Sequence, residues 1–319
     1  MSTVVLAPAK GQGPRRRGVL HSLSNLLYRK PGLVLLLCLT PPLLWLGVIY
    51  LGSLLALLLQ AFWSVDQFSG VVKQEFTLDT FAELFQPANF DVIQRTVVMA
   101  VLVTIAAACI AFPIAYYMAR YAQGRAKAFL YLLIMMPLWS SYLVRVYAWK
   151  LILAKEGVIG WAAEHLGLGG ALQWVLDLPL IGGSSLSTSY IGIFVVFLYI
   201  WMPFMILPIQ AALERVPRSL LDASSDLGAR PGTTFRKVIL PLALPGVAAG
   251  SIFTFSLTLG DYIIPYIFGQ SKFFIGQVVY LQQGTAGNIP LAAAFTVVPI
   301  VIMGVYLWLA KKAGAFDAL

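Results

Sequence analysis

Six long stretches of this 319-residue chain carry no charged side chain, and they constrain the fold more than any other feature. They cover residues 33–64, 96–119, 128–144, 178–213, 238–260 and 273–310. A membrane-spanning helix needs about 20 consecutive apolar residues, so only the stretch 128–144 is slightly short. Hydrophobic residues make up 60% of the chain and charged residues 11%, which excludes an ordinary soluble domain. We therefore predict an all-α polytopic membrane protein with six transmembrane helices.

The lysine and arginine residues predict how these spans are oriented, because loops rich in both residues stay in the cytoplasm. They concentrate in four segments that would all lie on one side of the membrane: 1–30, 120–127, 214–237 and 311–312. The opposite loops, within 66–91 and 155–177, are mainly acidic. We expect both termini in the cytoplasm, a basic cytoplasmic tail at 1–30 and a six-span domain at 31–319. This asymmetry accounts for the net charge of +9, so nucleic-acid binding is not needed to explain it.

The predicted cytoplasmic loop 214–241 contains the polar segment DASSDLGARPGTTFRKVILP at 222–241. Gly228 can adopt the left-handed conformation that ends a helix, and Pro231 suits the first position of a new one. Three apolar side chains then recur at helical spacing: Phe235, Val238 and Ile239. Pro241 ends or bends this second helix. The segment is predicted to be two short helices joined at Gly228 that project from the membrane.

The same segment resembles the EAA loop of the membrane subunits of binding-protein-dependent ABC importers. The family pattern is Glu-Ala-Ala, three residues, Gly, nine residues, Ile-x-Leu-Pro. Matching positions here are Asp222, Ala223, Ser224, Gly228, Val238, Leu240 and Pro241, with Asp in place of Glu and Ser in place of the second Ala. The resemblance implies a type I importer permease fold. It also implies an ATPase-coupling role for these residues and for Pro231 and Phe235.

Two further segments resemble spermidine/putrescine permeases of the PotB/PotH type. They are MPLWSSYLVRVYAWKLILAKEGVIG at 136–160 and LGDYIIPYIFG at 259–269. This resemblance implies a bacterial inner-membrane importer of polyamines or related organic cations. The implied partners are a second permease subunit, two ATPase subunits and an extracytoplasmic solute-binding protein. ATP and magnesium would be bound by the ATPase subunits, and no cofactor by this chain. An opine, an amino-acid derivative or ferric iron remains an alternative solute.

Asp261 is the one carboxylate well inside an apolar stretch, where a charge is unfavourable unless it meets water or a partner. Pro265 follows four residues later and should open the helix beside it. Nearby aromatic side chains could offer cation–π surface to an ammonium group: Tyr262, Tyr266 and Trp201. Alternatively, Asp261 pairs with Arg145 or caps the broken helix. These five residues are the candidate pathway residues.

The sequence offers little support for an enzyme. It contains no Walker motif, and its two histidines, His21 and His165, fall outside the predicted spans, so an intramembrane Ser/His dyad is not expected. No spacing typical of a metal site is present, so neither a catalytic nor a metal-binding residue is predicted. A secondary carrier and an intramembrane enzyme remain the alternative functions.

Overall fold

The computed structural model describes residues 28, 30–66, 69–179, 181–269 and 272–312. The chain divides into two units, Met1–Leu57 and Leu58–Leu319. The first unit contains α1 Pro31–Leu44, which continues as a π-helical stretch, Trp45–Leu51, and then as the first part of α2 Gly52–Gln60, whose last three residues belong to the second unit. The π-helical stretch follows Pro41 and Pro42. Because proline lacks an amide hydrogen, each one removes a helical hydrogen bond at this point. The predicted basic tail at 1–30 lies almost entirely outside the described residues.

The second unit is built from helices, with one small hairpin in which Ser64 pairs with Lys73 and Val65 with Val72. Its elements in chain order are β1 Ser64–Val65, β2 Val72–Lys73, α3 Asp79–Leu84, α4 Pro87–Arg120, α5 Gly124–Trp139, α6 Tyr142–Ile152, α7 Val158–His165, α8 Gly169–Leu176, a 3₁₀ turn Leu186–Thr188, α9 Tyr190–Arg215, α10 Arg218–Asp226, α11 Pro231–Thr234, a π-helical stretch Phe235–Ile239, α12 Leu240–Gly260, α13 Ile263–Phe268, α14 Ile275–Gln283 and α15 Ile289–Lys312.

Five helical segments of the described chain are long and apolar enough to cross a membrane, and a bent pair can be a sixth span. The five are Val34–Gln60, Pro87–Arg120, Tyr190–Arg215, Pro231–Gly260 and Ile289–Lys312. The pair consists of α5 and α6, which meet at an angle of 97°. The number of predicted spans therefore agrees with the structure.

The third predicted span, 128–144, is divided between two helices. Helix α5 ends at Trp139, and Ser140 and Ser141 are extended before α6 begins. Pro137 lies in the last turn of α5, and its carbonyl oxygen accepts a hydrogen bond of 2.9 Å from the Ser140 hydroxyl. A proline and a serine that bonds back to the backbone both weaken a helix at this point. The charged residues Arg145 and Lys150 consequently lie on a separate helix.

The core of the second unit forms where α4, α9 and α12 pack together. Helix α4 contributes alanines at four-residue spacing, all fully buried: Ala107, Ala111 and Ala115. Helix α12 contributes Gly246 and Gly250, which face α9 without side chains. A β-carbon at Gly246 would lie 2.5 Å from the Pro208 carbonyl oxygen, and one at Gly250 would lie 2.8 Å from Met205 Sδ. Small residues let membrane helices approach closely, so dispersion contacts stabilise this three-helix contact.

Candidate coupling loop and solute site

The turn at Gly228 has the geometry that the sequence predicts. Gly228 has a φ of 74°, in the left-handed region. Its amide donates to the Ser225 carbonyl at 2.8 Å, and the Ala229 amide donates to the Ser224 carbonyl at 3.1 Å. These two bonds form a Schellman motif, which satisfies the last carbonyl groups of α10. Pro231 then begins α11. Gly228 and Pro231 therefore end one helix and begin the next, as their backbone preferences predict.

Two contacts join the coupling helices to each other and to the bundle. The Ser224 and Thr234 hydroxyls lie 2.9 Å apart and connect α10 to the end of α11. The Phe235 ring packs edge-on against Phe112 at 5.6 Å and Tyr116 at 6.2 Å, both on α4. The sequence did not single out Thr234, because one hydroxyl among polar loop residues carries no signal of its partner. Force applied to α10 can therefore reach α4 through side-chain contacts.

The outer face of α10 is exposed and partly apolar. Leu227 is 87% exposed and Leu220 is 44% exposed, and Ala223 lies between them. Positions 220, 223 and 227 share one side of a helix, while Ser224 and Leu221, which lie next to this side around the helix, are half-buried. Asp222 is also exposed. An exposed apolar stripe on a polar loop is typical of a protein contact surface.

The remaining candidate coupling residues lead from the loop into α12. Val238 belongs to the π-helical stretch, and Leu240 and Pro241 begin α12. Val238 and Leu240 are half-buried and Pro241 is exposed. The sequence suggested that Pro241 ends or bends the second helix; the helix does not end there, and the π-helical stretch just before the proline is the kind of local adjustment that accommodates its missing amide hydrogen. The chain therefore continues as helix from the loop into the span.

Asp261 lies where the helix of the fifth predicted span breaks. Helix α12 ends at Gly260 and α13 begins at Ile263. Asp261 Oδ1 accepts a hydrogen bond of 2.9 Å from the Ile264 amide, and Oδ2 accepts one from the Tyr142 hydroxyl. The carboxylate therefore caps α13, which was one of the alternatives drawn from the sequence. The other alternative, an ion pair with Arg145, is not formed.

Tyr142 joins Asp261 to two of the other candidate residues. The Trp201 ring stacks on Tyr142 with 5.9 Å between centroids, and Arg145 Cζ lies 5.9 Å from the Tyr142 centroid. Trp201 is only 8% exposed, so its ring is part of the packed interior and not an open cation–π surface. Sequence reasoning missed Tyr142, because nothing in its spacing shows that the bend between α5 and α6 brings it to Asp261.

Three tyrosines form an exposed aromatic cluster next to Asp261. Tyr262 stacks on Tyr280 at 5.1 Å, and Tyr266 meets Tyr280 edge-on at 5.6 Å. All three side chains are exposed, between 39% and 55%. Tyr262 and Tyr266 were candidates from the sequence, but Tyr280 was missed since its helix, α14, folds back from a distant part of the chain. The negative faces of such rings attract an ammonium group.

The elements around Asp261 are tied to the rest of the bundle. Lys150 on α6 donates to the Ile267 carbonyl near the end of α13. The Ile275 amide at the start of α14 donates to Thr96 Oγ1 on α4 at 3.0 Å. Helices α6, α13 and α14 are thus held by bonds that satisfy helix-terminal groups. These bonds fix α13 and α14 against α6 and α4, so the packing of the helices sets the position of Asp261 and the tyrosines.

Comparison with known proteins identifies the family. Residues 111–314, which include the coupling segment and Asp261, match the family model described as binding-protein-dependent transport system inner membrane component. The chain belongs to this family. The permease is 58% identical over 308 residues to the inner membrane ABC transporter permease protein YdcU of Escherichia coli K12, which covers 97% of this chain and 98% of that protein. It is 31% identical over 245 residues to the spermidine/putrescine transport system permease protein PotB of the same organism, covering 76% and 85% of the two chains.

Solved structures support the fold of the permease. A chain of a bacterial ABC transporter involved in the import of the acidic polysaccharide alginate superposes with a TM-score of 0.67 at 16% identity, covering 91% of the permease and 99% of that chain. A chain of the MetNI methionine ABC transporter, in an inward-facing conformation, gives 0.52 at 17% identity, with coverage of 72% and 95%. The predicted fold class, an all-α ABC importer permease, is confirmed, and the permease is a multi-pass inner-membrane protein and not itself an enzyme.

Proposed function

We propose that the permease forms the import pathway for polyamines or related small organic cations and is driven by a separate ATPase. The observation that carries the solute class is the Asp261 carboxylate beside the exposed rings of Tyr262, Tyr266 and Tyr280. A carboxylate and aromatic faces together favour an ammonium group. The similarity to a spermidine/putrescine permease over 76% of the chain supports the same class.

The coupling loop 214–241 docks on the ATPase through the exposed face of α10. Leu220, Ala223 and Leu227 enter a groove of the ATPase, and Asp222 lies at the edge of that contact. Movement of α10 passes to α4 through the Ser224–Thr234 and Phe235 contacts, and to α12 through the continuous helix after Pro231. ATP and magnesium bind to the ATPase subunits. In this assembly the permease pairs with a second permease subunit and receives solute from an extracytoplasmic binding protein.

Both termini and the coupling loop face the cytoplasm. Charge contacts that join two basic segments support this orientation. Lys127 Nζ lies 2.7 Å from Glu214 Oε1, and Arg120 donates to the Val216 carbonyl at 3.1 Å. The segments 120–127 and 214–216 therefore lie at the same end of the bundle. A shared basic end is the pattern of a cytoplasmic surface.

The test compares two exposed leucines in cells that express the complete importer. Leu227→Glu places a carboxylate on the proposed ATPase contact, and Leu166→Glu places one on a leucine that is 73% exposed in another loop. We expect Leu227→Glu to abolish co-purification of the ATPase and uptake of labelled putrescine, because a charge at the centre of an apolar contact is desolvated without a partner. Leu166→Glu should retain the ATPase. Equal retention of the ATPase by both variants would contradict the coupling role.

A further inference from the structure

Two nitrogens of the Arg145 side chain are enclosed without an acceptor among the described residues. These atoms, Nε and Nη1, make no hydrogen bond to the described part of the chain. Ion pairs within the described residues involve other side chains. Enclosed N–H groups lose their bonds to water without replacement, and the loss is larger for a charged group. The guanidinium therefore needs an acceptor that the described residues do not supply.

A second unpartnered donor lies beside the same tyrosine. Trp201 Nε1 is enclosed and also lacks an acceptor among the described residues. The Trp201 ring stacks on Tyr142, and the Arg145 guanidinium lies 5.9 Å from the Tyr142 centroid. Arg145 and Trp201 thus offer their unused hydrogens in one neighbourhood. N–H donors of this kind are suited to a carboxylate or an amide carbonyl.

The charges of this cluster compensate each other. Tyr142 donates its hydroxyl hydrogen to Asp261, so one side chain connects the carboxylate to the neighbourhood of the guanidinium. A diamine bound beside Asp261 would bring a second positive charge towards Arg145, and two like charges repel. A solute with one ammonium group and one acceptor can pair with both side chains. The pairing favours a dipolar solute over one with two positive charges.

The cluster borders space that a solute can reach. The third guanidinium nitrogen, Nη2, is not among the enclosed atoms, and Arg145 as a whole is half-buried. On the other side of Asp261, the Tyr262, Tyr266 and Tyr280 rings are exposed. Each oxygen of Asp261 accepts one bond from the protein, and a carboxylate can accept about four. The carboxylate therefore retains capacity for an ammonium group.

We propose that Arg145 and Trp201 form an acceptor subsite beside Asp261. The solute is then a small amine that also carries a carboxylate or an amide carbonyl, such as an ω-amino acid or an N-acylated diamine. This inference rests on the proposed import function and narrows its solute class.

The experiment measures binding to the assembled importer in lipid nanodiscs, without the binding protein, so that the preference belongs to the membrane subunits. The probes are 4-aminobutyrate and N-acetylputrescine, which carry an amine and an acceptor, and putrescine, which carries two amines. The increase of the unfolding temperature with probe concentration gives an apparent Kd for each. We expect both acceptor-bearing probes to bind at least tenfold more tightly than putrescine.

Variants separate the two ends of the site. Arg145→Gln should weaken binding of 4-aminobutyrate tenfold or more and leave putrescine unchanged, and Arg145→Lys, which keeps the charge without the planar fork, should weaken it less. Trp201→Phe keeps a ring and removes the indole N–H, so binding of both acceptor-bearing probes should fall. Asp261→Asn should weaken all three probes. Lys155→Gln is the control, since it removes an exposed positive charge just after the same helix and should not change the ratio of the Kd values.

Two results would overturn the inference. Putrescine could bind as tightly as 4-aminobutyrate, or Arg145→Gln could leave the ratio of their Kd values unchanged, in which case trapped water satisfies the enclosed donors. If either result is found while cells with the complete importer still take up putrescine, the acceptor subsite alone is refuted. Absence of binding and of uptake for all three probes would refute the proposed function as well.

Discussion

Gly276 lies directly against the backbone of Asp261. A β-carbon at residue 276 would stand 2.7 Å from the Asp261 carbonyl oxygen and 3.0 Å from the Tyr262 amide nitrogen. The first turn of α14 therefore contacts the helix break from one side, while Tyr142 holds the Asp261 carboxylate from another. Because α14 is bonded to Thr96 on α4, the position of the break depends on the core of the bundle.

Replacement of Gly276 tests how closely the break is held. Gly276→Ala should displace Asp261, because backbone atoms cannot yield as a flexible side chain can, and overpacking costs about 1–3 kcal/mol. Uptake and the unfolding temperature of the complex should both fall. Gly260→Ala is the control on the other side of the same break, where a β-carbon would meet nothing within 4 Å. Equal behaviour of the two variants would show that the contact does not position Asp261.

Replacement of Gly228 tests the coupling turn. Valine has a β-carbon and should resist the φ of 74°, at a cost of about 1–2 kcal/mol. Gly228→Val should reduce uptake and co-purification of the ATPase, while the amount of permease in the membrane stays normal. Gly232→Val, at a position with open space and no left-handed φ, is the matched control. Normal uptake by Gly228→Val, with the ATPase still bound, would contradict the role of this turn.

Two replacements of Asp261 distinguish its role as a helix cap from its role as a charge that attracts the solute. The Asn oxygen can still accept the hydrogen bond from the Ile264 amide, and the Asn NH2 group can donate to the Tyr142 hydroxyl, so Asp261→Asn should keep the unfolding temperature and reduce uptake of a cationic solute. Asp261→Ala also loses the cap, so it should lower the free energy of unfolding by about 0.5–2 kcal/mol. Uptake and unfolding temperature are measured on both variants. If Asp261→Asn transports normally, the carboxylate acts only as a cap.

The orientation is tested by labelling a cysteine at Ser225, which is exposed on α10. Both native cysteines, Cys38 and Cys109, are free, so the experiment starts from a variant in which they are replaced by serine. A membrane-permeant thiol reagent should label Ser225→Cys in intact cells. An impermeant reagent should do so only after the membrane is opened. Labelling of intact cells by the impermeant reagent would place the loop outside.

Local chemistry explains which parts of the loop were predictable from the sequence. Gly228 and Pro231 act through their own backbone preferences, which need no distant partner. The Ser224–Thr234 bond and the packing of Phe235 on α4 needed the structure, because they join residues whose spacing carries no pattern. The angle of the bend after α5 needed the structure for a related reason, since Pro137 is compatible with either a kink or a break.

The sequence by itself determined the all-α membrane class, the number of spans and the position of the coupling turn, since apolar length and backbone preference act within one segment. It also singled out Asp261 as a charge in an apolar stretch. Only the tertiary structure decided the partners of that charge. Tyr142 reaches Asp261 across a 97° bend, Tyr280 reaches Tyr262 from α14, and no described residue accepts a hydrogen bond from Arg145 Nε or Nη1. These relationships depend on how separate helices cross, and crossing is decided by the close packing of small residues such as Gly246 and Gly250.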